Sequence, residues 1–137
     1  MESFCDDKAK FGRVMRVPAK YVNDRKSVRS ELIRLAYAGE LTYYGQLGDA
    51  VGKHKQWPLW KRVLDEISHD ETRQGLPDIT FLVLNAVTGW PSQIGFERTD
   101  NKPTPEQQQQ ARMELDKVFR HYCPSKPTPT LPRRKRA

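Results

Sequence analysis

Few side chains in this 137-residue chain have a type and spacing that could do chemistry. Two pairs of adjacent carboxylates, Asp65/Glu66 and Asp70/Glu71, have the composition for acid–base work or metal binding. Either role needs carboxylates that project inward, shielded from water. The apolar stripe of the same segment, Trp60, Val63, Leu64 and Ile67, faces the other way, so a solvated helix face is expected. Cys5 and Cys123 stand at opposite ends without a CxxC partner, and His54, His69 and His121 lack metal-ligand spacing. No metal site is expected, nor a disulfide in a reducing compartment. There is no phosphate-binding loop, dinucleotide fingerprint or nucleophile elbow. No cofactor is expected, and the chain reads as a non-enzyme.

The remaining chemistry is that of charge. The chain carries +7 overall, unevenly spread. Residues 124–137 hold Lys126, Arg133, Arg134, Lys135 and Arg136 and no acid. Residues 20–62 hold nine basic and four acidic side chains, whereas 63–103 hold three and seven. A field polarised in this way suits a polyanion. The candidate contact set is Lys53, His54 and Lys55, just ahead of a helix, Lys61 and Arg62 on its outer face, and Arg133, Arg134, Lys135 and Arg136 in the tail. Trp57 and Trp90, each beside a proline, are open between core packing and recognition.

The elements that must position these residues follow from periodicity. Residues 1–20 read as an irregular arm anchored by Phe11, Val14 and Val17. A helix starting near Asp24 or Ser27 and ending at Ala38 buries Val28, Leu32, Leu35 and Ala36, leaves Arg25, Lys26, Arg29 and Arg34 mostly exposed, and stops at Gly39. Thr42 is a candidate N-cap for the next helix. Leu47, Ala50 and Val51 share its face, and Gly52 ends it. Pro58 suits the first turn of a further helix, so residues 41–67 read as a helix-turn-helix. Asp78 to Asn85 reads as a covered strand, residues 85–89 as a turn, and residues 90–96 as an irregular return strand weakened by Pro91 and Gly95. Thr104-Pro105-Glu106-Gln107 opens a C-terminal helix with the stripe Leu115, Val118, Phe119 and Tyr122. The proline-rich end is expected to be disordered. The expected architecture is therefore mostly α with a small β-hairpin: an arm (1–20), a winged helix-turn-helix (21–100), a C-terminal helix (104–123) and a disordered basic tail (124–137).

The stretch Gly39-Glu40-Leu41-Thr42-Tyr43-Tyr44-Gly45-Gln46-Leu47 resembles the motif that opens the winged helix of the alkylguanine-DNA alkyltransferases and alkyltransferase-like proteins, which carry a Thr-Tyr-Gly-Glu-(Leu/Ile)-Ala core. Lys61-Arg62-Val63-Leu64 is similar in position to their Arg-Ala-Val-Gly block. The resemblance spans residues 25–97 in layout. It implies DNA binding in the minor groove, with the family's arginine finger falling on Lys61, or on Arg62 after a one-residue shift. Alkyl transfer is not implied. It needs a thiolate in a Pro-Cys-His-Arg block, and residues 76–85 contain no Cys, His or Arg.

The function expected on these grounds is non-catalytic binding of double-stranded DNA through the second helix of the pair, the wing and the tail. The alternative is a protein-interaction adaptor, such as an inhibitor or regulator of another protein, working through the winged-helix surface. A protein partner could also take the C-terminal helix or the tail, where Pro129-Thr130-Leu131-Pro132-Arg133-Arg134 matches PxxPxR. No apolar run is long enough to span a membrane and no signal peptide opens the chain, so a cytoplasmic location is expected.

Overall fold

The computed structural model describes residues 16–94 and 103–134. Over that range the chain is mostly helical with a small two-stranded parallel sheet. The helices are α1 (Val22–Ala38), α2 (Tyr44–Val51), α3 (Trp60–Arg73) and α4 (Pro105–Tyr122), and the strands are β1 (Thr42–Tyr43) and β2 (Val83–Leu84).

Local chemistry explains most helix ends. Gly39 (φ 72°) and Gly52 (φ 74°) close α1 and α2 in the left-handed region, where a side chain would be strained. Thr104 accepts from the Gln107 amide, and the Gln107 side chain returns to the Thr104 amide, so α4 begins in a capping box with proline in its first turn. Three expectations shift. α1 begins at Val22 with Tyr21 at its N-cap position, so neither Asp24 nor Ser27 caps it. Thr42 does not cap α2. It is buried in β1, and its hydroxyl donates to the Tyr43 carbonyl at 3.3 Å. Pro58 lies in the connecting turn ahead of α3 and not within the helix.

The hub of the core is a 3-10 turn, Ile79–Leu82, in which all four residues are buried. It packs against α1, α3 and α4. A strand from Asp78 to Asn85 was the expectation; only Val83 and Leu84 are extended. The Asp78 carboxylate accepts from the Thr80 amide at 3.0 Å, and that local bond bends the chain before it can pair. β2 then pairs in parallel with β1, Thr42 opposite Val83 and Tyr43 opposite Leu84. The expected hairpin is correspondingly reduced. The Asn85 side chain accepts from the amides of Val87 and Thr88, and the return is a single antiparallel bridge, Leu84 to Pro91. Pro91 has no amide hydrogen to extend the ladder, and a 3-10 turn follows at Ser92–Ile94. Gly95 and Phe96 lie outside the described residues.

The tail differs most from expectation. Its proline-rich composition predicts disorder, yet residues 124–134 run along the domain. Leu131 is buried in the common core, and the polar groups around it have partners. Lys126 Nζ donates to the Ala38 carbonyl at 2.7 Å, Thr128 Oγ1 to Asp116 Oδ1 at 3.0 Å, and the Arg133 amide to the Gly89 carbonyl at 2.9 Å. One buried leucine and a series of backbone bonds offset an ordering cost that prolines already reduce. Residues 135–137 lie outside the described range, as do Phe11, Val14 and Cys5. Val17 is buried, as expected of an arm anchor, and Cys123 is a buried free thiol. Among the described residues, no helix is long and apolar enough to cross a membrane.

Candidate nucleic-acid interface

The α2–α3 pair is set by one tight contact. Gly48 lies against the Lys53 carbonyl, where a Cβ would come within 2.1 Å of the oxygen. The Lys53 amide also donates to the Gly48 carbonyl at 2.8 Å. The chain then turns through residues 53–59. The His54 carbonyl accepts from Trp60 Nε1 at 2.9 Å, and His54 Nδ1 accepts from the Gln56 amide at 3.0 Å. His54 is therefore a turn-closing residue whose ring edge remains exposed. Lys53 is occupied as well: its Nζ is 3.2 Å from Asp24 Oδ1 and 4.9 Å from the Trp57 ring centroid.

Four aromatic rings brace this turn. Trp57 meets Tyr21 and Trp60 edge-on, with centroids at 6.3 and 5.2 Å, and Tyr44 meets Trp60 at 5.7 Å. The Tyr44 hydroxyl is 2.7 Å from Ser92 Oγ, and burial pushes its pKa up. Trp57 is half-buried in this cluster, so packing accounts for most of its surface. Trp90 is a correction. It is 6% exposed, with the Arg112 guanidinium 5.1 Å from its ring centroid. The single-bridge return draws it into the core, and it presents no recognition surface.

Lys55 in the connecting turn, and Lys61 and Arg62 in the first turn of α3, remain as exposed cations. The Lys61 side chain is 86% exposed and rests 2.9 Å from Asp65, one turn along. In the tail, Arg133 and Arg134 are exposed at the surface, and Lys135 and Arg136 fall outside the described residues.

The carboxylate pairs are the second correction. A solvated face was expected, but Glu66 is 2% and Glu71 1% exposed. Arg16 Nη1 reaches Glu66 at 3.0 Å and Asp70 at 2.9 Å, Arg25 reaches Glu66 at 3.3 Å, and Arg29 reaches Glu71 at 2.7 Å. Arg25 and Arg29, one turn apart on α1, thus turn their guanidinium groups towards α3, although solvent still reaches both side chains. The positive field of residues 20–62 and the negative field of 63–103 partly cancel across the α1–α3 contact. A matched signal existed in the sequence: arginines four apart on one helix and acids at 66, 70 and 71 on another. Nothing in periodicity alone, however, says which two helices will face each other.

On its far side, α3 lines an open groove of roughly 1050 Å³ shared with α4, with Lys61, Asp65, Glu114 and Lys117 along it. Its floor holds Asp78, whose carboxylate accepts from the Ser68 and Thr80 hydroxyls. Burial pushes the Asp78 pKa up, and these hydrogen bonds oppose the shift. Among the described residues, no cluster of three or more His, Cys, Asp or Glu side chains could hold a metal ion. Comparison with family models, curated proteins and solved structures finds no match for the chain.

Proposed function

We propose that the chain is a non-catalytic winged-helix protein that binds double-stranded DNA, with α2 crossing the phosphate backbone and the start of α3 presented to a groove. In this reading the short turn 85–89, with Val87 exposed at its tip, is the wing. The observation that carries it is the electrostatic sorting of α3. The acids along the rest of α3, Glu66, Asp70 and Glu71, are held by Arg16, Arg25 and Arg29, while at the other end Lys55 and Arg62 stay exposed and Lys61, paired with Asp65, keeps an 86% exposed side chain. Lysine and arginine at a helix start reach phosphates together with its amides. The Thr42-Tyr43-Tyr44-Gly45-Gln46-Leu47 resemblance points the same way.

Paired Lys61→Glu and Arg62→Glu substitutions test this. Both side chains are exposed, so the melt should be unchanged while affinity for a mixed-sequence duplex falls at least roughly tenfold. Equal affinity with an equal melt would remove α3 from the interface. The open groove between α3 and α4 favours the second reading, a protein-interaction adaptor. That reading forecasts no effect of these substitutions on DNA.

A further inference from the structure

The end of the chain is anchored where a loose tail would not be. Arg133 uses both of its backbone polar groups. Its amide donates to the Gly89 carbonyl at 2.9 Å, and its carbonyl accepts from the Tyr43 hydroxyl at 2.6 Å. Gly89, at φ 77°, lies so close that a Cβ there would come within 2.7 Å of the Arg133 nitrogen. The Arg133 backbone is therefore wedged between β1 and the turn 85–89. Its side chain and that of Arg134 are exposed. Arg133 also lines a surface groove with Gln46 and Asp49 of α2, Glu40, and Glu31 and Arg34 of α1. Arg34 is already paired with Glu31 at 2.6 Å, so Arg133 and Arg134 are the cations at this edge, among the described residues, that a phosphate could take.

We propose that residues 126–134 are a strap that makes Arg133 and Arg134 a fixed part of the DNA-binding surface, a clamp for the phosphate backbone beside the start of α2. The inference rests on the duplex-binding reading above. Two features argue for it. A guanidinium whose backbone is already held loses less freedom on meeting a phosphate than one on a free chain, and its planar fork matches phosphate oxygens. The place is also apt, since the first helix of such a pair is the one that crosses the backbone. Composition suggests a floating electrostatic tail. The strap instead gives the two arginines a set position relative to α2.

The test uses the full chain and a labelled mixed-sequence duplex. Arg133→Gln with Arg134→Gln removes charge, and the slope of log affinity against log salt should become shallower by about 1–2. Tyr43→Phe keeps every charge and the ring but loses the bond to the Arg133 carbonyl. Gly89→Val clashes with the Arg133 backbone but also strains the turn at its positive φ, so Tyr43→Phe carries the affinity comparison and Gly89→Val supports it. Each should open the chain at Arg133 and Arg134 to trypsin and weaken duplex binding roughly three- to tenfold at fixed salt. Trypsin sensitivity with unchanged affinity would overturn the clamp and leave the duplex-binding reading standing. An unchanged salt slope in the glutamine variant would do the same. A wild-type chain that binds no duplex at low salt would overturn both.

Discussion

Arg29 of α1 grips Glu71 of α3 through both carboxylate oxygens, Nε to Oε2 at 2.7 Å and Nη2 to Oε1 at 3.2 Å. The carboxylate is 1% exposed and the guanidinium side chain 43%. Its hydrogen bonds to Glu71 hold the Arg29 pKa above the ordinary value. Breaking such a pair from one side leaves a buried charge alone, although solvent reaches Arg29 and softens the effect. Arg29→Ala should destabilise the fold by about 1–3 kcal/mol. Adding Glu71→Gln should recover part of that loss, because the orphaned charge is gone. Chemical denaturation of the two single variants and the double variant checks this; strictly additive losses would mean that the pair is not coupled.

The α2–α3 junction rests on one glycine and not its neighbour. Gly48→Ala would press a methyl into the Lys53 carbonyl, 2.1 Å away, whereas a Cβ at Gly45 meets nothing within 4 Å. Gly48→Ala should cost at least about 2 kcal/mol. Gly45→Ala should stabilise by up to about 1 kcal/mol through helix propensity. Thermal melts of the two variants should move in opposite directions.

Leu131 distinguishes a docked strap from a free tail. At 6% exposure, its truncation to alanine should cost about 1–3 kcal/mol, less than a central leucine because a chain end can close over the gap. A tail that does not pack would show no change in the denaturation midpoint.

The helices were legible because their signals are local. Gly39, Gly52 and the Thr104-Pro105-Gln107 start act within a turn of themselves, and the Trp60, Val63, Leu64 and Ile67 stripe is buried as its spacing implies. What was not legible depends on partners far along the chain. Glu66 and Glu71 are buried because Arg16 and, from α1, Arg25 and Arg29 come to them. Leu131 is ordered only because a site near Leu115 and Arg112 receives it. Asp78 is a local signal of another kind: an Asp two residues before Thr80 favours a turn over the strand that the β-branched run suggested. Within the candidate site, the exposure of Lys61 and Arg62 followed from the stripe. The burial of Trp90 and the engagement of Lys53 with Asp24 and Trp57 did not.

Asp78 makes a prediction in pH. Burial raises its pKa above the ordinary 3.8, so the folded chain holds this proton more tightly than the unfolded one. The stabilisation is complete below the ordinary value and is lost as pH rises through the raised one. In Asp78→Asn the amide oxygen can still accept from Thr80, and the amide nitrogen can donate to Ser68, whose hydroxyl rotates to accept. Relative to wild type, the variant should therefore gain stability as pH climbs through that window. Melts across the acid range check this, and a constant difference between the two proteins would exclude the linkage.

The proposed function requires a folded surface of this chain to bind the DNA backbone. Its most direct measure is the affinity of the full chain for a mixed-sequence duplex across a salt series. If Lys55, Lys61, Arg62, Arg133 and Arg134 each neutralise one phosphate, log affinity should fall against log salt with a slope of roughly −4 to −5. No measurable binding at low ionic strength would contradict the account and favour the protein-facing groove between α3 and α4.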